Sequence, residues 1–390
     1  MIVEAVRTAV GKRNGALATA SAPELLADVL RALVERSGID PAVVGRVVGG
    51  TVTQVGDQST NVTRNAWLMA GLPFEVPAVT LTAQCGSSQD ALATAHAAVA
   101  SGLVEVAVAC GVETMSRIPP HANVPQDPDY GQPRGGRFTD HYELTTQFEA
   151  AERIAERWDL SREDLDAFGK RSQDLAARAW DEGRFAGQIV PVEVPVRDDT
   201  GAIVGTKPFA RDEGLRATTL EALAGLRTNP RQADRPSRHT AGTSSQISDA
   251  ASALLVASAR KAAELGLRPR ARVVDSVLVG SDPVMMLTGP IPATRALLDR
   301  TGLGLDAIDL FEVNEAFASV VLAWRKELGV DLDRVNVNGG AIALGHPLGA
   351  TGAILVTKMV NELERSGGRY GLVTMCCGGG LGTGTILERL

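Results

Sequence analysis

Short apolar runs alternate along this chain with longer stretches that are rich in alanine and have helical spacing. Val-rich runs that end in glycine are typical of buried strands in an α/β sheet. This pattern predicts that the chain begins and ends in a strand and that further strands lie at 46–52, 76–81, 104–113, 272–280, 334–340 and 370–380. We therefore expect an α/β protein with a largely buried sheet.

Two other segments have the periodicity of amphipathic helices. One begins after Asn314 and would place on a single face Phe317, Val320, Val321, Trp324 and Leu328. In the other, Ser161 and Asp164 match a capping box, and the apolar stripe that follows consists of Leu165, Phe168 and Leu175. We expect a helix in both places.

The pattern divides the chain into two α/β halves separated by an insertion. A length of 390 residues is more than one ordinary hydrophobic core accommodates. Loops and polar helices dominate between 119 and 245, so we predict a first half at 1–118, an inserted subdomain at 119–245 and a second half at 269–390. The segment at about 246–268 would complete the first half. ACGVETMS and MCCGGGLG both place Cys–Gly at the end of a Val-rich strand, which suggests related halves.

Composition and charge exclude several classes of protein. Hydrophobic residues make up 44% and charged residues 22% of the chain, as in ordinary soluble globular proteins. The net charge of -7 gives no general attraction to nucleic acid or to an anionic membrane. No apolar run approaches the roughly 18 residues of a membrane span, and we find no signal peptide or peroxisomal tripeptide. We expect a cytoplasmic enzyme of a prokaryote, with no nucleic-acid or membrane partner.

Four cysteines, Cys85, Cys110, Cys376 and Cys377, are too few for a disulfide framework in a chain of this length. There is no C-x-x-C pair, and the five histidines lack the spacing of a zinc site, so we predict no metal. The thiols are therefore interpreted as reduced, and each is either buried or reactive.

Cys85 is the first candidate for chemistry, because VTLTAQCGSSQDALATAHAAVASG has the pattern of strand, tight turn and helix. Gly86 would permit the turn, and the helix would begin near Ser87 or Ser88. The thiol would then lie at the positive end of the helix, which predicts a pKa below the ordinary value of about 8.5. On these residues alone, a buried structural cysteine is the alternative.

Two glycine-rich segments later in the chain hold further candidates. His346 lies in NGGAIALGHPLGATGA, where the glycines would let a ligand or another segment come close. It is the best candidate for a base, although a loop histidine without a role has the same local pattern. CCGGGLGTG, which begins at Cys376, would expose backbone N–H groups, as an oxyanion or phosphate site requires. The local sequence does not decide which of Cys376 and Cys377 faces such a site.

Asn314 and Glu315 lie between a predicted strand and a predicted helix, in FEVNEAFA. Asparagine is a good helix N-cap, and glutamate suits a first helical turn. Taken alone, both residues are interpreted as structural.

The combination of these segments, in this order, resembles the thiolase family over essentially the whole chain. The family's motifs are matched by QCGSSQDA (84–91), VETMS (112–116), DEGLR (212–216), TAGTSSQISDAA (240–251), MLTGP (286–290), VNEAFA (313–318), GGAIALGHPLGATG (339–352) and MCCGGGLGTG (375–384). The resemblance implies a five-layered α-β-α-β-α fold of two similar halves, with the inserted subdomain as a lid over coenzyme A. It also implies a homodimer or homotetramer that holds no permanent cofactor and uses acyl-CoA and coenzyme A as substrates.

The resemblance implies a catalytic role for five residues. Cys85 matches the nucleophile that carries the acyl group, and His346 matches the residue that activates it. Cys376 matches the second reactive cysteine, because it is the first residue of the family's C-x-G-G-G string. Asn314 matches the residue that holds a water near the thioester oxygen, and this water and His346 would form one oxyanion site. The backbone N–H groups of Cys85 and Gly378 would form the other.

Contacts to coenzyme A are implied for five more positions. Ser245 matches a serine that contacts pantetheine, and Arg216 matches an arginine on the cofactor side. A solvated surface arginine is an equal alternative for Arg216. Met286, Ala316 and Phe317 match the lining of the pocket.

One departure from the family pattern bears on the substrate. Short-chain acetoacetyl-CoA thiolases carry a His-Met pair in the lid, and Thr146 and Gln147 take its place here. Other segments, among them GKRNG, VTQVGDQS and QFEAAERIAER, look more like those of bacterial thiolases that trim steroid side chains. We therefore expect a degradative thiolase that cleaves a 3-ketoacyl-CoA with a bulky or long acyl group. Its products would be acetyl-CoA or propionyl-CoA and a shortened acyl-CoA.

Three alternatives remain. A biosynthetic acetoacetyl-CoA thiolase would run the Claisen condensation of two acetyl-CoA molecules. A decarboxylating ketoacyl synthase of the same superfamily would lack a cysteine at 376, so the MCCGGG string argues against it. A non-catalytic acyl-CoA or lipid carrier on this scaffold would not require Cys85, His346, Asn314 and Cys376 together.

Overall fold

Strands and helices alternate through most of the chain, as the hydrophobic pattern predicts. The computed structural model describes residues 1–198, 200 and 202–390. The strands are β1 (Ile2–Thr8), β2 (Gly11–Lys12), β3 (Arg46–Gly50), β4 (Ala78–Leu81), β5 (Val106–Thr114), β6 (Ile189–Val190), β7 (Val192–Arg197), β8 (Ile203–Phe209), β9 (Ser248–Ala257), β10 (Ala271–Gly280), β11 (Leu310–Val313), β12 (Tyr370–Cys377) and β13 (Leu381–Arg389). The helices are α1 (Ala22–Ser37), α2 (Val62–Met69), α3 (Ser87–Ala100), α4 (Phe138–His141), α5 (Gln147–Arg157), α6 (Arg162–Asp181), α7 (Leu220–Ala224), α8 (Ala259–Glu264), α9 (Pro290–Thr301), α10 (Ala318–Leu328), α11 (Ala341–Leu344) and α12 (Thr351–Ser366). Five of the six internal strands predicted from the pattern are confirmed, with small differences at their ends.

The strands form two sets with the same topology. In the first set the order is β4-β3-β5-β9-β1, with β3 parallel to β4 and β5, and with β9 antiparallel to both β5 and β1. In the second set β11 is parallel to β12, and β13 is antiparallel to both β12 and β10. A single parallel bridge between Phe311 and Val335 takes the place of a fifth strand beside β11. The prediction of two similar halves is therefore confirmed, and we call them the two repeats.

Helices lie outside and between the two sets of strands. Adjacent residues of β5 show the arrangement, because Val108 packs with α1 and α2 in one hydrophobic cluster and Ala109 packs with α3 and α12 in another. Helices α9 and α10 pack in a third cluster with strands of the second repeat. In the central layer, the backbone N–H of Ala353 in α12 donates to Ser88 Oγ in α3 at 2.9 Å. The five-layered α-β-α-β-α fold implied by the family resemblance is confirmed.

The predicted strand at 334–340 is wrong, apart from the bridge at Val335. The next residue, Asn336, has a left-handed backbone with a φ of 49°, which interrupts the extended conformation. Its side chain pairs with β11 instead: Oδ1 accepts from the N–H of Val313 and Nδ2 donates to the C=O of Val313, both at 2.8 Å. An amide side chain thus satisfies backbone groups that a neighbouring strand would otherwise bond. The apolar pattern gives no sign of this substitution.

Smaller elements occupy the chain between β5 and β9. The helix α6 begins with the predicted capping box of Ser161 and Asp164. On α5, the buried carboxylate of Glu149 accepts hydrogen bonds from Arg231 and from the backbone N–H of Ala233, which holds the segment that leads back to β9. Strand β6 pairs with β1, whereas β7 and β8 form a separate hairpin. Among the described residues, no helix is both long enough and apolar enough to cross a membrane.

Glu315 is a buried carboxylate that joins three segments. It accepts hydrogen bonds from Ser172 Oγ of α6 at 2.6 Å, from Asn336 Nδ2 at 2.9 Å and from the backbone N–H of Ile342 in α11 at 3.1 Å. It leaves no space beside Gly340, where a methyl group would lie 2.3 Å from the carboxyl carbon. The segment that contains Gly340 is therefore fixed against α6 and the end of β11.

We predict that Gly340→Ala lowers the free energy of unfolding by roughly 2–4 kcal/mol, because the methyl group must displace a carboxylate whose donors are buried. Urea denaturation measures this change. Gly280→Ala is the matched control, since a methyl group there meets no described atom within 4 Å. It should alter stability by less than about 0.5 kcal/mol. Equal stability of the two variants would contradict the prediction.

Candidate active site

The predicted catalytic residues converge where loops of the two repeats meet. In the first repeat Cys85 lies between β4 and α3, and in the second repeat His346 lies between the Val335 bridge and α12. Asn314 follows β11, and Cys376 lies near the end of β12. Because β11 and β12 are parallel neighbours, their carboxyl ends meet at one edge of the sheet. The fold therefore brings Asn314 and Cys376 to the same edge.

Cys85 is held in a tight turn that runs directly into α3, which begins at Ser87 as predicted. The backbone N–H of Ser87 donates to the C=O of Gln84 at 3.0 Å. The left-handed residue of this turn is Gln84, with a φ of 53°, whereas Gly86 has an ordinary φ of -82°. Glycine is required at position 86 for a different reason, since a methyl group there would lie 2.7 Å from the sulfur of Cys377.

The prediction of a lowered pKa for Cys85 is wrong. Burial raises the pKa of the thiol to about 11, and the charge of Glu113 acts in the same direction. Hydrogen bonds from the backbone N–H groups of Gly378 and of Cys85 itself lower the pKa, but they do not offset the burial. Cys85 is therefore a neutral thiol at pH 7 and needs a base before it can act as a nucleophile.

His346 is buried, and its hydrogen bonds select one tautomer. Thr351 Oγ1 donates to the C=O of Pro347 at 2.8 Å, so it acts as an acceptor towards His346 Nδ1, which is 2.7 Å away. The imidazole proton then lies on Nδ1, and the lone pair of Nε2 faces Asn314 Nδ2 at 3.4 Å. Burial lowers the pKa of His346 to about 4. The ring is therefore neutral at pH 7 and can accept a proton through Nε2.

Asn314 is not the helix cap that its position suggests, because α10 begins at Ala318 and has Phe317 at its N-cap. The amide is buried, and its Oδ1 has no hydrogen-bond partner among the described residues. A buried carbonyl oxygen of this kind is suited to bind a water molecule. Its neighbour Glu315 has a different environment, since it is satisfied by the donors around Gly340.

The adjacent cysteines at the end of β12 face opposite sides of the strand. Cys376 packs in an apolar cluster with Met286 and Phe317, whereas Cys377 packs in the central cluster that also contains Cys85. Burial raises the pKa of both thiols, and the charge of a Cys85 thiolate raises each of them further. Both thiols are thus protonated at pH 7, and both are close enough to interact with Cys85.

The residues expected to contact coenzyme A fall into two groups. Met286, Ala316 and Phe317 are buried together in the cluster of Cys376. The backbone N–H of Ser245 donates to the C=O of Ala316 at 2.9 Å, which places Ser245 beside them. The side chain of Arg216 is exposed, and no contact in the described part of the chain joins it to this cluster.

Three residues near the site have little or no signal in the sequence. Thr351 lies in the first turn of α12, and only the fold turns its hydroxyl towards the imidazole of His346. Gln84 and Gln147 meet at Gly378, where a methyl group would lie 3.5 Å from Gln84 Oε1 and 3.7 Å from Gln147 Nε2. The departure of Gln147 from the family pattern is the one feature of the sequence that points to these contacts.

Comparison with known proteins places both halves of the chain in one family. The model described as thiolase, N-terminal domain matches residues 1–260, and that described as thiolase, C-terminal domain matches residues 267–389. The chain is 48% identical over 395 residues to the steroid 3-ketoacyl-CoA thiolase FadA6 of Mycobacterium tuberculosis, and the alignment covers 100% of this chain and 94% of that protein. It is 44% identical over 406 residues to the β-ketoadipyl-CoA thiolase of Pseudomonas aeruginosa, with 100% and 98% covered.

A solved structure agrees with these matches. The crystal structure of the acetyl-CoA acetyltransferase of Bacillus anthracis is 37% identical to this chain and superposes with a TM-score of 0.90. That superposition covers 100% of this chain and 98% of the other. On this fold, this site and these full-length similarities, the chain belongs to the thiolase family and is an acyltransferase.

Proposed function

We propose that this protein is a degradative thiolase, which cleaves a 3-ketoacyl-CoA with free coenzyme A to acetyl-CoA or propionyl-CoA and a shortened acyl-CoA. The observation that supports this proposal best is the environment of Cys85. Its buried sulfur accepts hydrogen bonds from the N–H groups of Cys85 and Gly378, in a site that also holds a neutral His346 and the thiol of Cys376. Two relatives are named for the substrates steroid 3-ketoacyl-CoA and β-ketoadipyl-CoA.

His346 is the base in the first half of the proposed reaction. As the sulfur of Cys85 attacks the ketone carbon of the substrate, His346 Nε2 takes the thiol proton. The ketone oxygen becomes negative and accepts hydrogen bonds from the N–H groups of Cys85 and Gly378, each donor typically contributing about 10²–10³ in rate. The bond between C2 and C3 of the substrate then breaks. The acyl group remains on Cys85 as a thioester, and the acetyl-CoA portion leaves the acyl group as an enolate.

The enolate oxygen accepts hydrogen bonds from the protonated His346 and from a water held by Asn314. Its carbon takes a proton from the thiol of Cys376, which burial keeps protonated at pH 7. In the second half of the reaction, the thiol of free coenzyme A attacks the thioester on Cys85, and the Cys376 thiolate accepts the proton of that thiol. The sulfur of Cys85 leaves and regains the proton held by His346, so the site is restored. The same steps in reverse perform a Claisen condensation.

The lid is proposed to be the insertion at 119–245. Along the chain, the insertion would interrupt a first half that consists of 1–118 and about 246–268, and the second half would follow at 269–390. The insertion reaches the catalytic centre, because α5 packs in the cluster that contains Cys376. A change in the lid would therefore alter the space beside the reacting thiols.

The pantetheine arm of coenzyme A is proposed to lie along the surface formed by Ser245, Met286, Ala316 and Phe317. This surface is largely apolar and adjoins the catalytic thiols, as a narrow arm that delivers a thiol requires. Arg216 is exposed, so its proposed contact is limited to the outer part of the cofactor.

We propose a long or bulky acyl group, such as a steroid side chain, because Thr146 and Gln147 replace the His-Met pair of short-chain enzymes. The similarity to a steroid 3-ketoacyl-CoA thiolase supports this choice. A biosynthetic acetoacetyl-CoA thiolase is the second candidate, supported by the similarity to an acetyl-CoA acetyltransferase. A non-catalytic carrier is disfavoured, since it would not need a nucleophile, a base and a second thiol in one site.

We also propose a homodimer or homotetramer in the cytoplasm. Strand β4 is an edge strand of the sheet. Exposed apolar side chains lie on it or near it, namely Leu68, Met69, Phe74 and Val79. A sheet edge beside such a patch favours association with a second chain. The reducing cytoplasm would keep the neighbouring thiols of the site from forming disulfides.

Thr351→Val should lower kcat/KM for thiolysis by about 10- to 100-fold, because the buried Nδ1–H of His346 loses its acceptor and the active tautomer is no longer favoured. Thr351→Ser keeps the hydroxyl and should stay within about threefold of the wild type. Steady-state rates measure both effects, and the melting temperature shows whether each variant is folded. A fully active Thr351→Val would contradict the assignment of the tautomer.

Incubation with a 3-ketoacyl-CoA in the absence of coenzyme A should add one acyl group, located on the peptide that contains Cys85. Intact-protein and peptide mass spectrometry detect this adduct, and Cys85→Ala should not form it. The matched variants Cys376→Ala and Cys377→Ala separate the adjacent thiols. The first should lower kcat by about 10²–10⁴, and the second by less than about tenfold. An adduct in Cys85→Ala would reject the mechanism.

A series of 3-ketoacyl-CoA substrates of increasing size, each offered with free coenzyme A, separates the two candidate functions. Because each methylene that contacts a fitted pocket is typically worth about 1–3 kcal/mol, kcat/KM should rise at least about tenfold from acetoacetyl-CoA to the preferred substrate. The thioester products are followed by mass spectrometry. Activity confined to acetoacetyl-CoA would instead favour the biosynthetic enzyme.

A further inference from the structure

Polar side chains from three separate segments surround the glycine turn that follows Cys377. Gln84 Oε1 and Gln147 Nε2 both approach Gly378. Arg134 Nη2 lies 3.7 Å from the position that a methyl group on Gly379 would occupy. Gln84 precedes the proposed nucleophile, whereas the other two belong to the insertion. We call Gln84, Arg134 and Gln147 the polar rim.

The polar rim is available to a ligand. All three side chains are exposed, and none of them has a hydrogen bond or an ion pair with a residue that the structure describes. Two carboxylates of the insertion are engaged by other arginines, since Glu143 forms an ion pair with Arg153, and Glu149 forms one with Arg231. Arg134 is a cation beside the glycine turn that has no ion pair within the described part of the chain.

The distance from the polar rim to the reacting atoms matches the length of a short acyl chain. The N–H of Gly378 donates a hydrogen bond to the sulfur of Cys85, and the next residue, Gly379, is exposed. Because consecutive Cα atoms are about 3.8 Å apart, the guanidinium of Arg134 lies within about 9 Å of Gly378. Hydrogen bonds of about 3 Å at the N–H of Gly378 and at the guanidinium take up much of this distance, so about three or four carbons beyond the reacting ketone carbon cover the rest.

The chemistry of the polar rim differs from that of the surface proposed for pantetheine. The latter is lined by Met286, Ala316 and Phe317 and offers apolar contact. The polar rim offers a guanidinium, which binds carboxylates through two parallel hydrogen bonds, and two amide groups that can donate as well. An apolar chain end placed there would remove water from these groups and offer no hydrogen bonds in its place, which is unfavourable.

We propose that Arg134 selects 3-ketoacyl-CoA substrates whose acyl chain ends in a carboxylate, and that Gln84 and Gln147 orient this group. The inference rests on the proposed thiolase reaction and narrows its substrate from a long or bulky acyl group to a dicarboxylic one. Arg134 is a specificity residue here and takes no part in bond breaking.

The test compares 3-oxoadipyl-CoA with 3-oxohexanoyl-CoA, which have acyl chains of equal length and differ in the terminal carboxylate. The wild type should favour 3-oxoadipyl-CoA in kcat/KM by about tenfold or more. Arg134→Gln should lower kcat/KM for 3-oxoadipyl-CoA by about tenfold, mainly through KM, and leave 3-oxohexanoyl-CoA within about twofold. Arg134→Lys keeps the charge but not the planar fork, so its preference should be intermediate.

Arg137→Gln is the matched control, because Arg137 is an exposed arginine of the same segment, and it should leave the substrate ratio unchanged. Equal use of both substrates by the wild type would overturn the inference while the thiolase reaction stands. An equal loss on both substrates in Arg134→Gln would also overturn it, since the guanidinium would then serve the shared coenzyme A portion. Cleavage of neither substrate, nor of any in the wider series, would reject the proposed function itself.

Discussion

The contact of β5 and α3 in the first repeat with α12 and the loop before it in the second is the constraint on which the rest of this structure depends. The end of β5 lies directly against the loop that enters α12, and a methyl group on Gly111 would lie 2.3 Å from the C=O of Gly349. In the same place Glu113 accepts hydrogen bonds from the N–H of Gly349 in the second repeat and from that of Val52 in the first. These contacts hold the loop that leads from His346 into α12 against the repeat that contains Cys85.

Burial between the two sets of strands sets the protonation states of the candidate catalytic thiols and of the imidazole. A thiol and an imidazole both lose their charged forms when water is removed, so the pKa of Cys85 rises to about 11 while that of His346 falls to about 4. The thiols and the imidazole of the resting site are neutral, which avoids the large cost of burying unpaired charges. Charge would arise only during the proposed reaction, when the N–H groups of Cys85 and Gly378 are already in place to stabilise it.

Catalysis and substrate choice are proposed to lie in different parts of the chain. The groups proposed for bond breaking lie on connections of the two repeats and, for Cys376, at the end of β12, where strands and central helices fix them from several sides. Arg134 and Gln147 belong to the insertion, which reaches the same site through α5. Substitutions in the insertion can therefore alter which acyl group binds, while the thiols, the imidazole and the donor N–H groups keep their positions.

The sequence by itself indicated the α/β class, many of the strands and the set of candidate residues. Apolar periodicity reflects which face of an element is buried, so the strands assigned from it are correct except at 334–340, where the Asn336 side chain hydrogen-bonds to β11 instead. The pattern did not predict β9, although this strand lies inside the sheet between β1 and β5. The order of motifs identified Cys85, His346 and Cys376, although each has a structural alternative when taken alone. Only the tertiary structure decided the protonation of Cys85, the tautomer of His346 and the cluster in which Cys376 packs. These properties depend on burial and on partners from distant segments, which no local pattern encodes.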